Sequence, residues 1–248
     1  MRLVKWIMRA FQRGKALCGA LALAFACATG AQAQTYNITT TRSPAVPGWV
    51  IGPIHDPALS GGMEEARLGL AILKGTDGDG NAVSLTTWCI DLFDPLQAGT
   101  FTATDIAHSG FDVARLSQIQ TFLEHANSLA VDPTSAAAVQ LGIWEILYED
   151  TGSWDASAGS FYLAHQPAVE TLANTWLAAL ADNDWRPVPG LRLQVLVPEG
   201  VNQAQVRLVE APQSVGAVPE PASWALMVGG FGMVGGMVRH RRTRPEAA

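Results

Sequence analysis

The sequence predicts an α+β fold: antiparallel strands first, a central three-helix segment, a C-terminal β-hairpin, and then a single C-terminal transmembrane helix. Three observations lead there. Short, partly alternating apolar runs crowd residues 66–90 around a Gly/Asp/Asn turn. Apolar residues at helical spacing fill residues 112–182. Two more short apolar runs, 191–197 and 203–209, flank the turn Pro198-Glu199-Gly200. Strands and helices that segregate in this way argue for α+β, since a parallel α/β sheet would alternate them.

Taken in order, residues 1–33 have the three zones of a secretory signal peptide. Arg2, Lys5, Arg9, Arg13 and Lys15 make a basic start, and residues 16–29 form an uncharged apolar run. Ala31-Gln32-Ala33 supplies the small-x-small pattern a signal peptidase cuts, so the mature chain is expected to begin at Gln34. From Gln34 to Pro57 the chain reads as extended and irregular, because Pro44, Pro47, Pro53 and Pro57 forbid a helix. Residues 66–73 and 82–90 read as a hairpin. Its loop places Asp77, Asp79 and Asn81 at calcium-loop spacing, but Ala82 and Trp88 stand where that loop needs Gly and Glu, so a plain turn is the better account.

Three helices follow. Asp112 or Ser117 opens the first, to about Ala130, with Leu116, Ile119, Phe122 and Leu123 on one face. Pro133 opens the second, to Asp150, and Pro167 the third, to about Asp182. The second is apolar all round, which marks a buried helix. Gln140 is the only polar side chain between Ala136 and Trp144. A buried amide without partners costs about 1–3 kcal/mol. Gln140 is therefore hydrogen-bonded or chemically consumed.

The body, residues 34–210 with a linker at 211–218, suits one domain. Residues 34–218 carry Lys74 and six Arg against twenty acidic side chains, a net charge of −13. Such a surface repels phosphates and excludes nucleic acid as a partner. Of three cysteines, Cys18 and Cys27 fall in the signal segment, which leaves Cys89 as the lone thiol of an exported body. It is buried and inert, pairs with another chain, or is chemically used.

The last element is a tail. Residues 222–238 carry no charge, a length at the lower limit for a bilayer span, and Arg239-His240-Arg241-Arg242-Thr243-Arg244 follow. Pro219-Glu220-Pro221-Ala222-Ser223-Trp224-Ala225, then the span and the Arg cluster, closely resemble the PEP-CTERM sorting signal over residues 219–244. The resemblance implies recognition of Pro219, Glu220, Pro221, Trp224, Ala225, Arg239, Arg241 and Arg242 by an exosortase and cleavage near the two prolines. It further implies passage through an inner-membrane intermediate to the cell surface or extracellular matrix of a Gram-negative bacterium, beside exopolysaccharide.

Trp88-Cys89-Ile90-Asp91 after a strand and Val139-Gln140-Leu141-Gly142-Ile143-Trp144 on a helix together resemble the bacterial thioester (TQXA) domains. The resemblance implies a bond from Cys89 Sγ to Gln140 Cδ, opened by an amine-bearing target. Asp91, two residues on, is either an assisting residue that steers or deprotonates the nucleophile or, more simply, a polar strand end. The chain departs from the family pattern at Val139 and Gly142, where the family has Thr and Ala. No cofactor is implied, and no turnover enzyme, only single-turnover autocatalysis.

Two other readings stay open. Cys89 with a base from His108, His125 or His165 and an orienting Asn127 or Asn174 would make a hydrolase, although none of these His has a recognisable context. A structural or carbohydrate-binding matrix protein would stack sugars on exposed tryptophans, for which Trp154 and Trp185, each beside an Asp, are the candidates. A zinc site is not supported, because one Cys and scattered His lack ligand spacing.

Overall fold

A computed structural model describes residues 34–42, 47–59, 61–150 and 153–212, together with Gly230, Phe231, Met233 and Arg239, which are helical. The signal segment, the sorting residues Pro219, Glu220, Pro221, Trp224, Ala225, Arg241 and Arg242, and nearly all of the expected span 222–238 lie outside the described residues. Among those described, no helix is long and apolar enough to cross a membrane.

The body is α+β, with antiparallel strands first, three helices, then two strands. The strands are β1 (Gln34–Arg42), β2 (Trp49–His55), β3 (Met63–Gly69), β4 (Ala71–Asp77), β5 (Ala82–Cys89), β6 (Gly99–Thr104), β7 (Tyr162–Leu163), β8 (Leu191–Pro198) and β9 (Gln205–Glu210). The helices are α1 (Val113–Ala126), α2 (Pro133–Tyr148) and α3 (Pro167–Ala181). Six strands close an antiparallel barrel in the order β1-β4-β5-β9-β8-β6, and β3-β2-β7 form a separate sheet. Closure leaves the barrel no free edge.

Three expectations are corrected. Within 34–57, residues 34–42 and 49–55 are regular strands: β1 enters the barrel with Tyr36 and Ile38 inward, and β2 runs through Pro53. Proline is tolerated there because its ring nitrogen points away from β3, and its carbonyl accepts the Ala164 N–H at 2.9 Å. The apolar run 66–73 is not one strand. Gly69, at φ +151°, breaks it, sending β3 to the small sheet and β4 to the barrel. A Cβ there would meet the Gly48 carbonyl oxygen at 2.9 Å. The chain also forms β6 before the helices, where Phe101 and Ala103 alternate inward with threonines out.

The barrel has its own small core, including Tyr36, Leu73, Leu85, Phe101 and Leu196. The larger core gathers the helices, the small sheet and the ends of β5, β8 and β9 around α2. That helix starts at a capping box: Asp132 accepts the Ser135 N–H at 2.9 Å, and the Ser135 hydroxyl takes the Asp132 N–H. At its other end Arg115, from α1, donates to the Ile146, Leu147 and Glu149 carbonyls, where a cation suits the helix dipole. Asp77 binds the N–H groups of Asp79 and Asn81 and closes the β4–β5 turn, as a turn residue does.

A second polar group is buried on α2. Glu145 accepts the Asp155 N–H through Oε1 at 2.7 Å, while Oε2 has no partner. Burial is the main cause of a carboxyl pushed up to about 8; the Asp155 N–H opposes the shift, and the Glu149 and Asp155 charges add to it. The folded chain thus holds a proton that the unfolded chain releases near pH 4.5. The stability this proton contributes is complete below about pH 4.5, falls as pH rises, and is gone above about pH 8. Glu145→Gln should flatten that loss. Urea unfolding at both ends of the window should differ by about 1–4 kcal/mol more in the parent than in the variant.

Candidate functional site

β5 ends at Cys89, and α2 carries Gln140 to the same place. The Gln140 amide, fully buried, grips the Cys89 main chain at both ends. Its Oε1 accepts the Cys89 N–H at 3.1 Å, and its Nε2 donates to the Cys89 carbonyl at 2.8 Å. The amide does the work of a neighbouring strand on that side of Cys89, while Gln205 of β9 is its register partner on the other. Two polar atoms of one amide, bonded to the N–H and the carbonyl of one residue, set Cδ opposite the Cys89 Cα.

The thiol is held beside this clamp. Cys89 Sγ donates to the Asp91 carbonyl at 2.8 Å and accepts the Asp91 N–H at 3.3 Å. Burial is the main cause that pushes the thiol well above its ordinary range, and the Asp91 charge adds to it; the Asp91 N–H and the Trp144 indole oppose the shift. The indole favours the thiolate through its polarity, yet its Nε1 lacks a hydrogen-bond partner of normal geometry. Asp91 thus acts on the thiol through its main chain. Its carboxylate accepts the Phe93 N–H at 3.0 Å.

Two residues without any local signal complete the site. Gln203 donates through Nε2 to the Asp91 carbonyl at 2.7 Å. Tyr148 donates its hydroxyl hydrogen to the Ile90 carbonyl and accepts the Leu92 N–H, both at 3.1 Å, so it staples the turn 90–92 to α2. Burial holds its phenol above the usual range, which keeps it a donor.

Cys89, Gln140, Trp144 and Gln203 line one cavity of about 600 Å3, together with residues of β3 and of the segment 92–96.

The remaining sequence candidates lie elsewhere. None of His108, His125 and His165 lines this cavity. His108 pairs with Asp105 at 2.7 Å, and His125 bonds the Arg186 carbonyl at 2.8 Å. Asn127 accepts from the Trp88 indole at 2.9 Å, and Asn174 takes the Ala156 N–H at 2.7 Å, so both are engaged in the scaffold. Trp154 and Trp185 are half-buried against the main core. The His125 ring stacks on Trp185 at 5.1 Å, which occupies a face a sugar would need. Among the described residues no cluster of three or more His, Cys, Asp or Glu is placed to hold a metal ion.

Residues 217–242 match the family model of the PEP-CTERM protein-sorting motif. That motif indicates an exosortase-targeted surface protein. The match falls wholly after β9 in the sequence. No curated protein and no solved structure matches the chain.

Proposed function

We propose that the protein forms an internal thioester between Cys89 Sγ and Gln140 Cδ and uses it to attach covalently to an amine-bearing target at the cell surface or in the surrounding matrix. The observation that carries this reading is the two-point grip of the Gln140 amide on Cys89, two residues that line one cavity. With Cδ opposite the Cys89 Cα, rotation about the Cys89 side chain brings the sulfur toward it. The Cys89 N–H already bonds Oε1, where negative charge develops when sulfur adds to the carbonyl. The C–N bond then breaks and ammonia leaves with the thiol proton, so the step needs no oxidant or cofactor. An incoming amine later reverses the logic. Its nitrogen joins Cδ, the C–S bond breaks, and Cys89 returns as a thiol.

The test is the mass of the protein purified after export, with and without methylamine. The thioester lowers the mass by about 17 Da, hides the thiol from alkylation under denaturing conditions, and releases it when methylamine adds. Cyclisation of an N-terminal Gln34 would also expel ammonia. The deficit therefore counts only if Cys89→Ala removes it. If the wild-type chain has its full mass and Cys89 alkylates as soon as it is unfolded, the thioester is excluded. The reading left would be a structural or carbohydrate-binding matrix protein with the same sorting tail.

A further inference from the structure

The cavity that reaches Gln140 is walled on one side by an unpaired strand edge. β3 pairs with β2 alone, and no strand lies on its other edge among the described residues. Four successive residues, Glu64 to Arg67, line the cavity. One face of a strand would contribute only every second residue, so β3 offers its edge. The direction of its main chain follows from β2. Pro53 and Ile51 spend their carbonyls on Ala164 N–H and Gln166 Nε2, on the side away from β3. Their register partners are Glu65 and Arg67, which must likewise point N–H and C=O away from β2. Those groups face the cavity side.

Charge adds a second constraint. Glu64, Glu65 and Asp94 line the cavity, and of the two arginines beside them Arg67 lies over the Trp49 ring at 4.7 Å. The three carboxylates outnumber the two arginines, and on a body of net charge −13 that excess favours a cationic segment. A strand laid on an exposed edge gains main-chain hydrogen bonds whatever its sequence, with alternate side chains left to set specificity.

We propose that the target is a protein segment that docks as an added strand on the free edge of β3 and presents a lysine to Gln140. The inference rests on the thioester reading for its covalent step: the lysine nitrogen bonds Cδ, the C–S bond breaks, and the proton lost by the amine goes to the Cys89 sulfur. The docking itself needs no thioester.

Two measurements separate the parts. In the first, an acetylated hexapeptide of alternating lysine and valine is titrated into the Cys89→Ala protein, which has no thioester, beside the same peptide N-methylated at either set of alternate residues. Binding should be saturable, and one of the two methylated peptides should lose it, because only one set faces the edge. In the second, the peptide and methylamine compete at equal amine concentration for the wild-type protein. The peptide should couple about tenfold faster, and Glu65→Pro, which deletes one outward N–H, should cut that ratio toward one. Binding of both methylated peptides overturns the edge docking, as does coupling of glucosamine as fast as of the peptide. Peptide binding without methylamine uptake overturns the thioester and keeps the edge.

Discussion

In the Cys89→Ala chain, where no thioester forms and the amide stays intact, Gln140→Ala should lower the unfolding free energy by about 3–5 kcal/mol at neutral pH. Two costs add. Truncation strands the Cys89 N–H and carbonyl, which point away from β9 and have the Gln140 amide as their partner. Each buried orphan costs about 1–3 kcal/mol. It also leaves a void under a helix whose residues from Ser135 to Ile146 are all buried. Gln140→Glu is the sharper variant. It keeps the shape but sets a carboxyl oxygen against the Cys89 carbonyl, so the fold must hold it protonated. Its penalty should therefore be small below about pH 4 and grow as pH rises, the sign expected for an acid whose folded pKa is raised. Urea unfolding across pH checks both. A loss below about 1 kcal/mol for Gln140→Ala would mean that the strand end does not depend on the amide.

Gly142→Ala should cost about 1–3 kcal/mol, although alanine is worth about 1 kcal/mol over glycine in an open helix. A Cβ at Gly142 would meet the Phe122 ring at 2.4, 3.0 and 3.1 Å, and Phe122 is fully buried. The ring has no room to retreat between α1 and α2. Phe122→Leu in the same chain should recover part of the loss, which a thermal melt of the single and double variants reads directly. A neutral Gly142→Ala would show that the α1–α2 contact gives way easily.

The helices were legible because their signals are local. Pro133 and Pro167 open α2 and α3 at the residues expected, and Asp112 caps α1. The barrel was not legible, because closure depends on pairings such as β1 with β6, which no window of sequence contains. Within the N-terminal strands, Pro53 sits where no ladder bond is missed, and Gly69 hid a change of sheet inside one apolar run. β6 did carry its signal, with Phe101 and Ala103 alternating among threonines, in a stretch too short to weigh against the helices beyond it.

At the site, Cys89 and Gln140 stood out through their oddity, one thiol and one amide in apolar company. The residues that hold them did not. Gln203 serves Asp91 from 112 residues away and Tyr148 serves Ile90 from 58, and neither has an unusual neighbourhood in sequence. Trp154 and Trp185 are less exposed than their sequence suggests. Their flanking aspartates look like a solvent-facing loop, while the rings turn back onto the core.

The short ladder between β5 and β9 has a mechanical meaning. The sorting tail continues from β9, which pairs with β5 through only Trp88–Val206 and Cys89–Gln205, and with β8 along six positions. If a captured partner pulled on Gln140 while the cell held the tail, the covalent path between them would run from α2 through β7, α3 and β8 to β9. The six-position ladder between β8 and β9 would share that load, and the two-position ladder between β5 and β9 would couple little of it to the strands before Gln140. β1 to β6 and α1 precede Gln140 and would sit outside the line of tension, like the body of a hook beside its shank.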